Sequence, residues 1–199
     1  MFIWILFSTF ISNGAYSVCA PILPVKLVEK NISGAFVGLT FAMYSMGYIF
    51  WSPIVSKYLI PNIKPHNLLG SSLVIMGISF ACFGTIEHIE SETTIMVISC
   101  LLRLIQGLAG STQYTTALCL IARYAKGKEK PKQLGRNTAV WGTSLMSGPI
   151  IGSALYAALG FERMFYVYGG AEVFFALILR HGIAKLVLED EAGDQEELV

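Results

Sequence analysis

The sequence predicts an all-α membrane protein with six transmembrane helices, and three observations lead to this. Of 199 residues, 54% are hydrophobic and only 14% are charged, whereas soluble domains carry about 25% charged residues. The charges are segregated, so that uncharged runs cover residues 1–25, 31–56, 67–86 and 137–161. Two further apolar runs carry one charge each, Arg103 and Glu172. The uncharged runs all reach the length of about 20 apolar residues that crosses a bilayer core.

The predicted spans cover residues 2–23, 34–58, 67–85, 94–123, 135–158 and 164–179. Short connections between them favour a compact bundle, residues 1–187, in which neighbouring helices are antiparallel. Val18-Cys19-Ala20 has the small residues of a signal-peptide cleavage site. However, a proline follows directly and no Lys or Arg precedes the apolar run, so the first span is predicted to be a retained helix.

The distribution of basic residues predicts the orientation. Ten Lys and Arg residues lie on the side of the chain that holds the second-to-third loop, the fourth-to-fifth loop and the exit from the sixth span. Three lie on the other side. Because basic loops stay in the cytoplasm, both termini are predicted to be cytoplasmic.

The segment 188–199 has a different composition from the rest of the chain. It carries six acidic residues and few apolar ones, so it buries too little apolar surface to fold alone. We interpret it as a cytoplasmic tail or the start of a linker.

Composition and spacing argue against several classes of function. A net charge of +1 gives no electrostatic basis for binding nucleic acid. The four cysteines lie inside predicted spans without metal-ligand spacing, so neither a metal site nor a disulfide framework is predicted. No nucleophile elbow, phosphate loop or zinc-hydrolase motif is present, and we expect neither an enzyme nor a bound cofactor.

The fourth span contains Arg103-Leu104-Ile105-Gln106-Gly107. An arginine near the middle of a bilayer costs about 3 kcal/mol or more, so it is rarely incidental. It either faces a central cavity and takes part in coupling, or is a structural charge tied to helix carbonyls or to a glutamate.

The fifth span carries Gly135-x8-Ser144-x3-Gly148-Pro149-x2-Gly152. Small residues at helical spacing let another backbone approach closely, and a Gly-Pro step bends a helix. Generic helix packing is the alternative explanation, because Gly and Pro are frequent in membrane helices.

These two signatures resemble the antiporter signature and the fourth-helix signature of the major facilitator superfamily, with Ser144 where a glycine is usual. The run 20–24 and the stretch 103–161 are most similar to the vesicular amine and polyamine transporters and the drug:proton antiporters. The second-to-third loop departs from the family pattern, because it lacks the usual glycine and acidic residue. The first helix also has no acidic residue.

The resemblance implies the N-terminal six-helix half of a twelve-helix fold that transports a small organic solute by alternating access, as an ion- or proton-coupled antiporter. The first and fourth helices would line the cavity. The fifth helix would direct its glycine face, Gly135, Gly148 and Gly152, toward an absent second half. A six-helix protein that homodimerises, or a non-transporting accessory subunit of the same fold, remains as an alternative.

Five residues are candidates for contact with substrate or coupling ion, namely Asn13, Arg103, Gln106, Gln113 and Glu172. There are three hypotheses for Glu172. It could neutralise Arg103, or it could be a protonatable carboxyl whose neutral form is favoured by desolvation. It could also be a tolerated charge on a peripheral helix. Counted from the outer helix ends, Asn13, Arg103 and Glu172 are expected at similar depth. Gly107, Gly135, Ser144, Gly148, Pro149 and Gly152 are predicted to be structural.

Overall fold

The computed structural model describes residues 1–196, including the side chains at all of these positions except 181 and 184–196. The described residues form helices and short connections, without a strand. Four helices come first, namely α1 (Phe2–Glu29), α2 (Gly34–Asn62), α3 (Pro65–His88) and α4 (Glu92–Tyr124). A long helical stretch, Glu129–Glu196, follows them.

Gly160 interrupts the long stretch. Its dihedral angles, φ 77° and ψ 178°, are not helical, and glycine tolerates this positive φ because it has no Cβ. We call the parts on either side α5 (129–159) and α6 (161–196). Among the described residues, five stretches are long and apolar enough to cross a membrane, and the last of them, Glu129–Arg180, contains 52 residues. At 1.5 Å per residue this would be about 78 Å of continuous helix, more than twice the thickness of a bilayer core.

The helices extend beyond the predicted spans at most ends. α1 continues past Pro21 and Pro24 as far as Glu29. α2 contains a π-helical turn at Val55–Leu59, and α3 ends in a 3₁₀ segment, Phe83–His88. The backbone stays helical through Glu196 in the acidic segment. The remainder of the predicted tail, 197–199, lies outside the described residues.

Ionic contacts join α1, α3 and α6 at the end of the bundle that holds the α1–α2 and α3–α4 connections. The Lys26 ammonium lies 2.9 Å from Glu87 Oε1. Lys30 Nζ donates to the backbone carbonyls of Glu87 and Ile89 at 3.0 and 3.1 Å. His88 Nε2 lies 3.1 Å from Glu162 Oε1. These contacts anchor the polar extension of α1 against the end of α3.

Glycines bring the helix backbones together. A Cβ added to Gly77 of α3 would lie 2.7 Å from the Gly169 carbonyl of α6. One added to Gly47 of α2 would lie 2.8 Å from the Leu104 carbonyl of α4. At Gly107 an added Cβ would overlap the Tyr44 carbonyl oxygen. α2 therefore packs on α4, and α3 packs on α6.

The glycine face of α5 packs on α1, and this corrects the sequence prediction. A Cβ at Gly148 would lie 2.5 Å from Ser17 Cβ, and one at Gly152 would lie 2.8 Å from the Val18 carbonyl. The prediction that Gly148 and Gly152 face an absent second half is therefore wrong. Gly135 has nothing within 4 Å of an added Cβ, so for this residue it stays a prediction.

Apolar side chains form two separate clusters, one toward each end of the bundle. Phe80, Phe83 and Phe165 belong to the first, at the α1–α2 end. Ile5, Leu73, Ala176 and Leu179 belong to the second, at the α2–α3 end. Buried polar side chains of α1, α4 and α5 lie between them, in the middle of the bundle.

α2 and α5 present the most exposed apolar surface of the bundle. Ile49 and Phe50 of α2 are 65% and 70% exposed, and Met146 and Ile150 of α5 are 78% and 73% exposed. Each of the two helices packs mainly on one neighbour, α2 on α4 and α5 on α1. Their remaining surface is available to lipid or to another protein.

Gly107→Ala is expected to destabilise the bundle by about 1–3 kcal/mol, because the new methyl group overlaps the α2 backbone. Gly142→Ala is the matched control, since nothing lies within 4 Å of an added Cβ there. Alanine should stabilise a helix at that position by up to roughly 1 kcal/mol. Thermal unfolding in detergent micelles measures both; equal effects of the two substitutions would contradict the packing of α2 on α4.

Candidate functional site

A cavity of about 560 Å³ opens between α2 and α5. α1 and α4 form its floor, and α2 and α5 form its two walls. The lining residues are Asn13, Tyr16, Tyr44, Ser45, Tyr48, Ile49, Tyr114, Thr138, Trp141 and Leu145. Four tyrosines and one tryptophan are among them, and none is charged. The surface suits a ligand with apolar or aromatic parts and a few polar groups.

The tyrosines of the floor and the α2 wall contact one another. The ring centroids of Tyr16 and Tyr44 are 4.5 Å apart, and those of Tyr44 and Tyr48 are 6.2 Å apart in a stacked arrangement. One turn further along α2, Trp51 Nε1 donates to Thr112 Oγ1 of α4 at 3.0 Å. These contacts fix the side chains of the α2 wall against α1 and α4.

Asn13 is the one predicted substrate or coupling residue that lines this cavity. Its Nδ2 donates to the Thr9 carbonyl of its own helix at 2.9 Å. The side chain is 8% exposed and lies where α1 forms the floor.

Arg103 lies behind the floor of the cavity and is fully buried. Its guanidinium carbon is 4.6 Å from the centre of the Phe41 ring, 5.5 Å from that of Tyr16 and 5.6 Å from that of Phe83. Each distance is short enough for a cation–π interaction. Among the described residues, Arg103 does not line the cavity and pairs with no carboxylate. Aromatic rings of three helices surround it instead.

Gln106 and Gly107 complete the fourth-helix signature. Arg103 Nη1 donates to Gln106 Oε1 at 3.2 Å, whereas Nε, Nη2 and the Gln106 Nε2 have no hydrogen-bond partner. Gly107 faces the Tyr44 carbonyl. The signature thus combines a partly satisfied arginine with the closest contact of α4 and α2.

Gln113 lies at the centre of a hydrogen-bonded network that joins three helices. Its Nε2 donates to Ser8 Oγ at 3.0 Å and to Thr9 Oγ1 at 3.3 Å. Thr9 Oγ1 donates in turn to Asn137 Oδ1 of α5 at 2.9 Å. Asn137, next to the cavity-lining Thr138, was not predicted. The sequence feature that could have indicated Asn137 is its amide side chain at the start of an uncharged apolar run, residues 137–161.

Glu172 is fully buried in α6, and neither carboxylate oxygen has a hydrogen-bond partner. It forms no ion pair with Arg103 in the described part of the chain. That Arg103, Glu172 and Asn13 lie at similar depth stays a prediction.

Ser144 and Pro149 lie within the helical part of α5. Ser144 is fully buried and donates through Oγ to the Trp141 carbonyl at 2.7 Å. Helical dihedral angles continue through Pro149, and the break in the stretch falls at Gly160 instead. Ser17 Oγ of α1 donates to the Leu145 carbonyl at 2.6 Å, so a carbonyl just before the Gly-Pro step bonds to the neighbouring helix.

The described residues contain no group of three or more His, Cys, Asp or Glu side chains that would hold a metal ion. All four cysteines are free.

A double-mutant cycle between Thr9→Ala and Gln113→Ala tests the network. We expect a coupling free energy of about 0.6 kcal/mol and at most about 1.7 kcal/mol, the range measured for hydrogen bonds between membrane helices. The control cycle pairs Gln113→Ala with Thr143→Ala, since Thr143 Oγ1 bonds only within its own helix. Unfolding free energies give both values, and a coupling no larger than that of the control would contradict the network.

Comparison with known proteins identifies a family of membrane transporters. The sequence profile of the Major Facilitator Superfamily matches residues 5–196. The MFS-type transporter SLC18B1 of Mus musculus is 22% identical over 154 residues, which are 77% of this chain and 33% of that protein. The Efflux pump DEP3 of Fusarium langsethiae is 26% identical over 167 residues, 83% of this chain and 27% of the pump.

The Quinolone resistance protein NorA of Staphylococcus aureus (strain Mu50 / ATCC 700699) is 25% identical over 178 residues, 87% of this chain and 42% of that protein. The chain thus spans roughly a third of the length of these relatives. Three observations support the same family: the apolar helices, the fourth- and fifth-helix signatures, and a profile match over most of the chain. The protein belongs to the Major Facilitator Superfamily, a family of membrane transporters and not of enzymes.

Proposed function

We propose that this chain forms one six-helix half of a secondary active transporter that moves a small organic solute by alternating access. The observation that carries the proposal is the uncharged, aromatic-lined cavity. α1 and α4 form its floor, and α2 and α5 form its walls. A pump and a drug-resistance protein among the relatives support export of an organic compound. Coupling to an antiported ion or proton is part of the proposal.

Six spans are the arrangement that the fold supports best. The break at Gly160 divides a stretch too long for one crossing. The ionic contacts between Lys26, Glu87, His88 and Glu162 bring the end of α1, the end of α3 and the start of α6 to the same end of the bundle. This alternation fits an antiparallel sequence of crossings in which both termini lie on the basic, cytoplasmic side.

A second six-helix unit would complete the cavity. The cavity is open between α2 and α5, the same two helices that expose large apolar side chains. In transporters built from repeats, the substrate site lies near the bilayer midplane between two such units, which rock against each other. The second unit is either a further part of the same polypeptide or another copy of this chain.

Orientation can be tested by labelling a cysteine introduced at Lys128→Cys with a membrane-impermeant thiol reagent. In intact cells that carry the protein at their surface, we expect labelling only after permeabilisation, because the α4–α5 connection is basic. Glu90→Cys, in the α3–α4 connection, is the matched control and should react from outside. The unsubstituted chain reports the background from its four native cysteines. Labelling of position 128 from outside would reverse the topology.

Transport activity is the second test. Purified and reconstituted in liposomes, this chain alone should show no saturable, gradient-driven uptake of a fluorescent organic solute, because half of the cavity wall is missing. Co-expression with the C-terminal half of a relative should restore uptake. Trp141→Ala, which removes the largest ring of the α5 wall, should then weaken it, whereas Thr143→Ala, which does not line the cavity, should not. Robust uptake by this chain alone would favour a homodimer.

A further inference from the structure

Glu172 is the most anomalous charged residue in the bundle. Its side chain is fully buried, and no hydrogen-bond donor reaches either oxygen among the described residues. An ionised carboxylate without a partner is among the most costly groups to bury, and proteins avoid that cost by pairing or neutralising the group. Because no pairing is present, the geometry requires a neutral acid at this position.

The surroundings of Glu172 contain no nearby cation. Tyr168, one turn earlier on α6, and Tyr44 of α2 are the titratable side chains that lie near Glu172. On α1 the titratable side chains before Lys26 are Tyr16 and Cys19, while Lys26 lies at the end of the helix and pairs with Glu87. α3 has none between Leu69 and Phe80. α4 contributes Arg103, which binds to aromatic rings and Gln106 instead.

The helix that carries Glu172 is tightly packed on both sides of this residue. Tyr168 Oη donates to the Ile11 carbonyl of α1 at 3.2 Å. A Cβ added to Gly77 of α3 would lie 2.7 Å from the Gly169 carbonyl and 2.8 Å from Val173 Cγ2. Glu172 is fully buried between these contacts, so bulk water does not touch its carboxyl in this packing. Hydration, and with it ionisation, of Glu172 requires a movement of these helices.

We propose that Glu172 is a proton-binding site of this half, separate from the substrate cavity. A proton from bulk water forms an O–H bond with one carboxyl oxygen and removes the negative charge, and its release restores the carboxylate. The protonated form favours the packing seen here, and the ionised form favours an arrangement in which water reaches α6. Glu172 does not line the cavity, so proton and substrate would not compete for one site but would act through the same helix movement.

The coupling role rests on the proposed transport function, but proton binding does not. Proton binding predicts that this chain, purified without any partner, contains a protonated carboxylic acid at neutral pH. Infrared spectroscopy detects this directly, because the C=O stretching band of a protonated acid is absent from an ionised carboxylate.

The first experiment compares infrared spectra of the unsubstituted chain, Glu172→Gln and Glu162→Gln in lipid nanodiscs at neutral pH. We expect a protonated-acid band in the unsubstituted chain, its loss in Glu172→Gln, and its retention in Glu162→Gln, whose carboxylate is paired with His88 at the bundle end. If Glu172→Gln does not fold, Glu172→Asp should shift the band. Absence of the band from the unsubstituted chain, or its persistence in folded Glu172→Gln, would overturn the proposal.

The second experiment measures uptake with and without a pH gradient in the complex with a second half. Glu172→Gln should lose the stimulation by the gradient, whereas Glu172→Asp should retain it with a displaced pH profile and Glu162→Gln should retain it unchanged. Full stimulation in Glu172→Gln would refute the coupling role. Absence of uptake by the unsubstituted complex would instead refute the proposed function, while the infrared result would still decide whether Glu172 binds a proton.

Discussion

Close contact between helix backbones at glycine residues is the interaction on which the rest of this bundle depends. Lipid tails are as apolar as leucine, so burying hydrophobic side chains does not by itself drive membrane helices together. Gly77, Gly107, Gly148 and Gly152 each bring a backbone so near that a methyl group would meet it. Dispersion contacts made at this distance hold α3 to α6, α4 to α2 and α5 to α1.

The same close packing determines where polar groups can lie. Between the two apolar clusters, Gln113 joins Ser8 and Thr9 of α1, and Thr9 joins Asn137 of α5. These bonds favour the helix faces that meet here, because a rotated helix would lose the bonds that Gln113 Nε2 and Asn137 Oδ1 make. Within the described part of the chain, Arg103 and Glu172 are each buried without a charged partner. Aromatic rings surround Arg103, and a bound proton is what we propose for Glu172.

The distribution of exposed surface connects packing to function. α1, α3, α4 and α6 contribute most of the buried residues, and α2 and α5 border the cavity with apolar faces uncovered. If the bundle is one half of a transporter, as we propose, its firm internal packing and its two open helices would let it move as a rigid body against a second unit. The cavity lies between these helices, so such a movement would change access to it from either side.

The sequence by itself determined the class of protein, the approximate position of the helices and the presence of two isolated charges in apolar spans. These are local properties: hydropathy and charge spacing are visible along the chain, and the family signatures are short.

The tertiary structure decided which partners those residues have. Gly148 and Gly152 were expected to face a second half but contact α1. Arg103 was expected either in a cavity or as a structural charge tied to helix carbonyls or a glutamate, and only the structure shows the aromatic rings around it. Asn137 was not predicted. Helix rotation and neighbour order arise from contacts between residues far apart in the chain. Glycine spacing shows that a backbone can approach, but not which helix supplies it.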